Sequence, residues 1–211
     1  MGKLLGRRKA LSCLASLMGI MVTKPLFALE RQQDAISSAS WNDTVHVDVK
    51  NNVDSKILLV LVSFHKKNTQ KIAMAMSSIL NASIIGPNQF QKENLEKYEL
   101  IGFGSGIYDN RHHKSILDIA ANLPENINKK VFIFSTSGVS RAACVKFKME
   151  PDPHIQLRDV LISKKCAILG EFNCKGWNTN GFLEVFGGMN KGKPNEKDLT
   201  QAKEFASSLS I

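Results

Sequence analysis

Cysteine is scarce and unpaired in this chain. Cys13, Cys144, Cys166 and Cys174 are the only four, and none has a close Cys-x-x-Cys partner, which excludes a dithiol redox motif. Cys166 instead reads as a small buried hydrophobe. A Gly-x-Gly-x-x-Gly is also lacking at the one strand-to-helix turn suited to an anion, so nothing there is built for a dinucleotide pyrophosphate. Ser135 in Ser-Thr-Ser-Gly138 lacks nucleophile-elbow spacing and has no evident Asp and His partners, which argues against hydrolase chemistry. His112 and His113 are adjacent, point differently and have no carboxylate cluster beside them; they read as a surface pair at a helix start, and no metal site is expected. There is no internal repeat, low-complexity tract or second core. At 211 residues and 43% hydrophobic composition, one domain with a real core is the expectation.

Acid is absent from the first 28 residues, and this locates the charge. The formal net charge is +9, yet Lys3, Arg7, Arg8, Lys9 and Lys24 supply +5 of it, leaving +4 for the other 183 residues. A surplus that mild is an ordinary solvated surface, so no nucleic-acid partner is read from it. Ala10 to Val22 follow without a charge, too short for a comfortable membrane span but suited to a signal peptide ending near Ala28. Arg7-Arg8 resembles a twin-arginine export signal. Residues 1–28 are thus expected to be a signal peptide or N-terminal anchor, and the protein to be exported or membrane-tethered and extracytoplasmic, with a cytoplasmic location as the alternative. If exported, Cys144 and Cys174 could form a disulfide. Residues 29–54 read as a polar linker, with a brief alternation from Thr44 to Lys50 and Trp41 to pin it.

What is present from Ser55 onward is one repeated grammar. The apolar run Ile57 to Val62, a polar turn and the helical pattern Thr69 to Leu80 read as a buried parallel strand feeding a helix, with Thr69 placed to cap it. Strands follow at Ser83 to Ile85, Tyr98 to Phe103, Lys130 to Ser135 and Cys166 to Phe172; helices at Lys114 to Leu123, Ile155 to Ile162 and Leu199 to Leu209. This alternation predicts an α/β domain over 55–211, a five-stranded parallel sheet covered on both faces. Ligands of such sheets lie beyond the carboxyl ends of the strands. Three of those ends are small or polar: Ser63 to Thr69 suits an anion at a helix start, while Gly104 to Asp109 and Ser135 to Gly138 allow close approach of a flat ring, with Tyr108 to cover it.

Ser63-Phe-His-Lys-Lys-Asn-Thr69, Tyr98-Glu-Leu-Ile-Gly-Phe-Gly-Ser-Gly-Ile-Tyr108 and Lys130-Val-Phe-Ile-Phe-Ser-Thr-Ser-Gly138 together resemble the phosphate and flavin loops of the flavodoxin family. The segments Glu171 to Thr179 and Gly187 to Leu199 resemble closing segments of a flavodoxin-like subfamily. The resemblance implies a flavodoxin-like three-layer fold with strand order 2-1-3-4-5. It also implies FMN, bound without covalent attachment by Ser63, His65, Lys66, Lys67, Asn68 and Thr69 at the phosphate; by Gly104, Ser105, Gly106, Ile107 and Tyr108 at the ring; by Ser135, Thr136, Ser137 and Gly138; and by Trp177 as a second stacking candidate. Lys67 stands where the family usually has glycine. If positive φ is needed there, lysine costs on the order of 1 kcal/mol.

The function so implied is an FMN-binding electron-transfer protein, a carrier more than a catalyst. Its expected partner is a redox protein or a membrane electron donor, with transient membrane association through the N-terminus and a monomeric state. The alternatives are an FMN-dependent oxidoreductase linked to NAD(P)H, a quinone or a porphyrin precursor, and a flavin-free flavodoxin-like binding module.

Overall fold

The computed structural model describes residues 54–139, 141–146, 152–179 and 187–209, together with Leu183 and Val185. The leader, the linker, Trp41 and the Thr44 to Lys50 alternation lie outside the described residues. Strand β1 (Ile57–Val62) is apolar throughout and buried at every position, as a strand covered on both sides must be. It leads through a single 3-10 turn, His65–Lys67, into α1 (Asn68–Leu80), which Asn81 ends in the left-handed conformation. Then come β2 (Ser83–Ile85), β3 (Leu100–Tyr108), the short β4 (Arg111–His112), α2 (Lys114–Ala121), β5 (Lys130–Ser137), α3 (Arg141–Lys146), α4 (Ile155–Ser163), β6 (Ala167–Lys175) and α5 (Glu196–Ser208).

The main sheet is parallel in the order β2-β1-β3-β5-β6, and β4 pairs antiparallel with the end of β3. This is the expected five-strand topology. Side chains alternate strictly across it. Leu59 and Leu61 face α1 and α5, meeting Ile72, Ala73, Met76, Ala202 and Ala206. Leu58, Val60 and Val62 face the other way, with Ile116 and Ala120 of α2 and Leu157 and Leu161 of α4. The layers are therefore helix, sheet, helix.

Three strands run farther than their sequence predicts, β5 among them, which ends at Ser137 and not at Ser135. Gly104 to Tyr108, read as a loop, continues β3, because Gly104, Ser105 and Gly106 pair with Phe134, Ser135 and Thr136 of β5. β6 likewise reaches Lys175, opposite Ser137. Glycine is tolerated in β3 for a steric reason. Gly102 and Gly104 lie beside Phe132 and Phe134, whose rings fill the space a β-carbon would take; at Gly104 it would come within 2.1 Å of the Phe134 ring. The helix α3 was not anticipated. α5 starts three residues earlier than the periodicity indicates, since Asn195 and Asp198 form a reciprocal capping box. Cys166 is buried just before β6, and Cys144 and Cys174 are buried free thiols, so the disulfide is not made.

The glycine and phenylalanine pairs give a direct test. Gly104→Ala should destabilise the domain by about 1 to 3 kcal/mol through overpacking against Phe134, read as a lower urea midpoint with an unchanged slope. Double substitution with Phe134→Leu should recover part of the loss.

Candidate functional site

The carboxyl ends of β1, β3, β5 and β6 meet at one cleft enclosing about 390 Å³, counting space open to solvent. Its first wall is the turn after β1. Lys66 (φ 51, ψ 15) and Lys67 (φ 52, ψ 36) are both left-handed, and Lys67 occupies the N-cap position of α1 without a capping side chain. Each such conformation costs about 1 to 2 kcal/mol in a non-glycine residue, and strain of that size is characteristic of functional turns. The backbone itself swings the chain into the helix. Thr69 is consequently not the cap. It sits inside α1, buried, and its hydroxyl meets that of Thr136 at 2.9 Å. Ser63 Oγ accepts from Gln70 N at 3.2 Å, so the side chain just after β1 satisfies one of the open amides of the first turn. No acidic residue lies in that turn.

Ten of the expected residues line the cleft: Ser63, Asn68, Thr69, Gly106, Ile107, Tyr108, Thr136, Ser137, Gly138 and Trp177. Lys66 stands at its edge, with Nζ 5.1 Å from the centre of the Trp177 ring. Gly104, Ser105 and Ser135 do not line it; they are buried inside β3 and β5. The reason is the extra length of both strands. For His65 only the backbone turn is described. Phe64, Gly176 and Asn178 also line the cleft and went unpredicted. Phe64 is the residue the sequence could have offered, since it lies within the quoted first loop and a 46% exposed aromatic there has little structural purpose. Gly176 admits Asn68, whose Nδ2 donates to Trp177 O at 2.9 Å; a β-carbon at Gly176 would sit 2.9 Å from that nitrogen.

Tyr108 is a wall more than a free stacking face. Its ring is edge-on to Phe64 and His113, at 6.5 and 5.7 Å between centroids. Burial pushes its phenol up to about 12, against a smaller lowering by a hydrogen bond to the Phe64 backbone. It therefore stays protonated at neutral pH.

Behind the cleft lies a buried polar cluster that the sequence does not reveal. Ser105 Oγ accepts from His113 N at 3.0 Å and donates to Gly106 O at 2.7 Å, so its 2.9 Å contact with His112 Nδ1 requires the proton on that nitrogen. His112 Nε2 is then a bare acceptor, and it has no partner among the described residues. The His112 and His154 rings are 5.1 Å apart. His154 Nδ1 donates to Glu171 Oε2 at 2.9 Å, while its Nε2 accepts from Ser135 Oγ at 2.7 Å. Arg158 closes the far side, binding Glu171 through Nε and Nη2 at 2.5 and 2.7 Å and Asp152 through Nη1 at 2.8 Å.

This arrangement corrects two expectations. His112 is 1% exposed and not a surface residue; only His113 stands at the helix start, as the N-cap of α2. Ser135 does have His and Glu partners. It is nevertheless no nucleophile, being fully buried with Asn173 Nδ2 donating to its oxygen at 2.7 Å. Donor atoms of Asp152, His154 and Glu171 lie within 4.8 Å of one another, but the Arg158 guanidinium already serves both carboxylates. Burial holds His112 well below the usual imidazole range, aided by His154, and desolvation also lowers His154 against the pull of Glu171. The Arg158 hydrogen bonds lower both carboxyls, Glu171 and Asp152, against desolvation.

With this geometry described, the fold can be compared with known structures. Oxidised flavodoxin 2 from Bacillus cereus matches with a TM-score of 0.51 at 16% identity, over 72% of this chain and 94% of that one. Two-electron reduced Megasphaera elsdenii flavodoxin matches at 0.50 and 13% identity, over 72% and 99%. Rubredoxin oxygen:oxidoreductase of Desulfovibrio gigas matches at 0.50 and 14% identity, over 72% of this chain and 34% of that larger one. The class is thereby defined: this is a protein of flavodoxin-like fold. At the level of sequence, the chain is 46% identical over 154 residues to uncharacterized protein MJ0298 of Methanocaldococcus jannaschii, spanning 73% of this chain and 97% of that protein. It belongs to the family of that archaeal protein. No family model matches the chain.

The exported or membrane-tethered location is corrected on these findings. The described chain is accounted for by a flavodoxin-like domain, and among the described residues no helix is long and apolar enough to cross a membrane. The leader on which that expectation rested lies outside the described residues.

The buried histidines generate a pH prediction. Their folded values lie below the unfolded value near 6.5, so below that pH the unfolded chain binds more protons and stability falls. Between pH 8 and 5 the loss should reach at most about 2 kcal/mol for each histidine that stays neutral in the fold. The depressed carboxylates contribute only at lower pH. Urea midpoints across that range should show the decline, and His112→Asn, which keeps a donor for Ser105, should flatten it.

Proposed function

We propose that the cleft holds FMN and that the protein is an FMN-binding electron-transfer protein of the flavodoxin type. One observation carries the reading: an acid-free helix N-terminus, the hydroxyls of Thr136 and Ser137 and the rings of Phe64, Tyr108 and Trp177 converge on a single cleft. The residues suit the group. The first-turn amides of α1 would hold the terminal phosphate, with Lys66 and Lys67 as counter-charges. Buried Asn68 Oδ1, without a partner among the described residues, can accept from a polyol hydroxyl. Gly106 and Gly138 let Tyr108 and Asn178 pack close against the ends of β3 and β5, and exposed Phe64 offers a flat ring a face. When bound, FMN supplies reversible electron transfer. The chain's own work is to seat it, to join the two halves of the seat through the Thr69 and Thr136 hydroxyls, and to keep the neutral Tyr108 as a wall. The flavodoxin-like fold supports this reading at the level of architecture.

A second reading, a flavodoxin-like binding module without flavin, is favoured by the Lys66 ammonium already over Trp177 and by two left-handed lysines in the phosphate turn. Titration by flavin fluorescence quenching decides between them. FMN should bind more tightly than riboflavin, and Phe64→Ala should weaken FMN by about 1 to 2 kcal/mol and shift its spectrum. Equal affinity for riboflavin would remove the phosphate seat, and no flavin binding would leave the binding module. Bleaching of bound FMN by NAD(P)H would make the protein an FMN-dependent oxidoreductase instead of a carrier.

A further inference from the structure

We propose that the rim of the cleft is a docking surface for an acidic one-electron carrier protein. The partner's redox class rests on the electron-transfer reading above; its charge does not. Residues 54–211 contain 21 Lys and Arg against 15 Asp and Glu, a surplus of six. On the strand ends and turns beside the cleft, the described residues include five exposed cations, Lys66, Lys67, Arg111, Lys175 and Lys191, and one exposed carboxylate, Asp109. Four of the six surplus charges therefore stand at the rim, and the rest of the domain is close to balanced. A charge excess confined to one face focuses the field there and steers association.

Three of these lysines stand on segments that meet at Trp177. Lys66 Nζ lies over the ring at 5.1 Å, and Lys175 is two residues before it. Lys191 follows the segment whose Met189 exchanges backbone hydrogen bonds with Asn178 at 2.9 and 2.7 Å, and it precedes Lys193, whose carbonyl accepts from Trp177 N at 3.0 Å. Phe64 and Met189 are exposed by 46% and 39% on the same loops. Exposed aromatic and methionine side chains have the composition of a protein-docking core, and the charged side chains around them that of its polar rim. A nucleic-acid backbone would engage the lysines and leave Met189 in water. An acidic protein matches both features, and complementary charge sets its rate of arrival and its orientation.

The test uses the full chain and two carriers of opposite charge, a plant-type ferredoxin, which is acidic, and a basic cytochrome c. Association is measured by biolayer interferometry from about 10 mM to about 1 M salt, over which the Debye length falls from about 30 to about 3 Å. Ferredoxin should bind at low salt and lose at least about tenfold in association rate across the range, and cytochrome c should not bind. The double variant Lys175→Glu, Lys191→Glu should reverse that preference while leaving FMN quenching unchanged. Absent or salt-independent ferredoxin binding overturns the proposal, as does a preference unmoved by the double variant. Tighter binding of single-stranded DNA or phosphatidylserine vesicles than of ferredoxin also overturns it. If the double variant does not fold, the salt titration of the unmodified protein decides. Ferredoxin binding without FMN binding would discard the cofactor reading and keep the acidic partner.

Discussion

At the centre of the sheet, Gly102 and Gly104 of β3 make room for the rings of Phe132 and Phe134 on β5, and much else depends on that fit. The rings pack with the α1 and α5 side of the core, while the opposite face of the same strands is apolar at Ile101, Phe103, Val131 and Ile133 against α2 and α4 and turns polar only at Ser105 and Ser135. With both faces sealed, polar chemistry can appear only where the strands run out. β3 and β5 do so together, because the pairing that starts at Leu100 and Lys130 runs through the glycines and continues to Gly106 and Thr136. The position of the cleft is thus a consequence of core packing.

Two kinds of polar group gather at those strand ends, and they differ in access. Thr136, Ser137 and Gly138 open to the cleft. Ser105, His112, Ser135 and His154 turn inward and are almost completely buried. Each inward group except His112 Nε2 is satisfied by the donors and acceptors around it, which is the condition for a polar cluster to survive in a core. The Ser135, His154 and Glu171 contacts have the connectivity of a nucleophilic triad without its access. Connectivity alone does not define an active site.

The comparisons divide along the same line. Structures at 13 to 16% identity share the architecture, which burial dictates and many sequences can meet. What those proteins do with their clefts does not transfer with the fold. The archaeal relative at 46% identity places the chain in a family. The chemistry has to be argued from the lysines, the aromatic rings and the orphan amide oxygen of this cleft.

The sequence by itself determined the layered α/β architecture, because unbroken apolar runs such as Ile57 to Val62 and helical periodicities such as Ile72, Ala73 and Met76 are local patterns that burial enforces; the strand order came only from the resemblance of its loops to the flavodoxin family. It also located most of the cleft, since strand ends follow from the strands. It could not show that Gly104 to Tyr108 is strand, because glycine has weak strand preference and only the neighbouring Phe134 makes it suitable. It could not show that His112 is buried or that Ser135 meets His154, 19 residues away along the chain, and through it Glu171, 36 residues away. Those contacts are made by α4 and β6 folding back against β5. Tertiary structure alone decided which serines and histidines face the cleft and which are sealed behind it, because facing depends on register between strands distant in sequence.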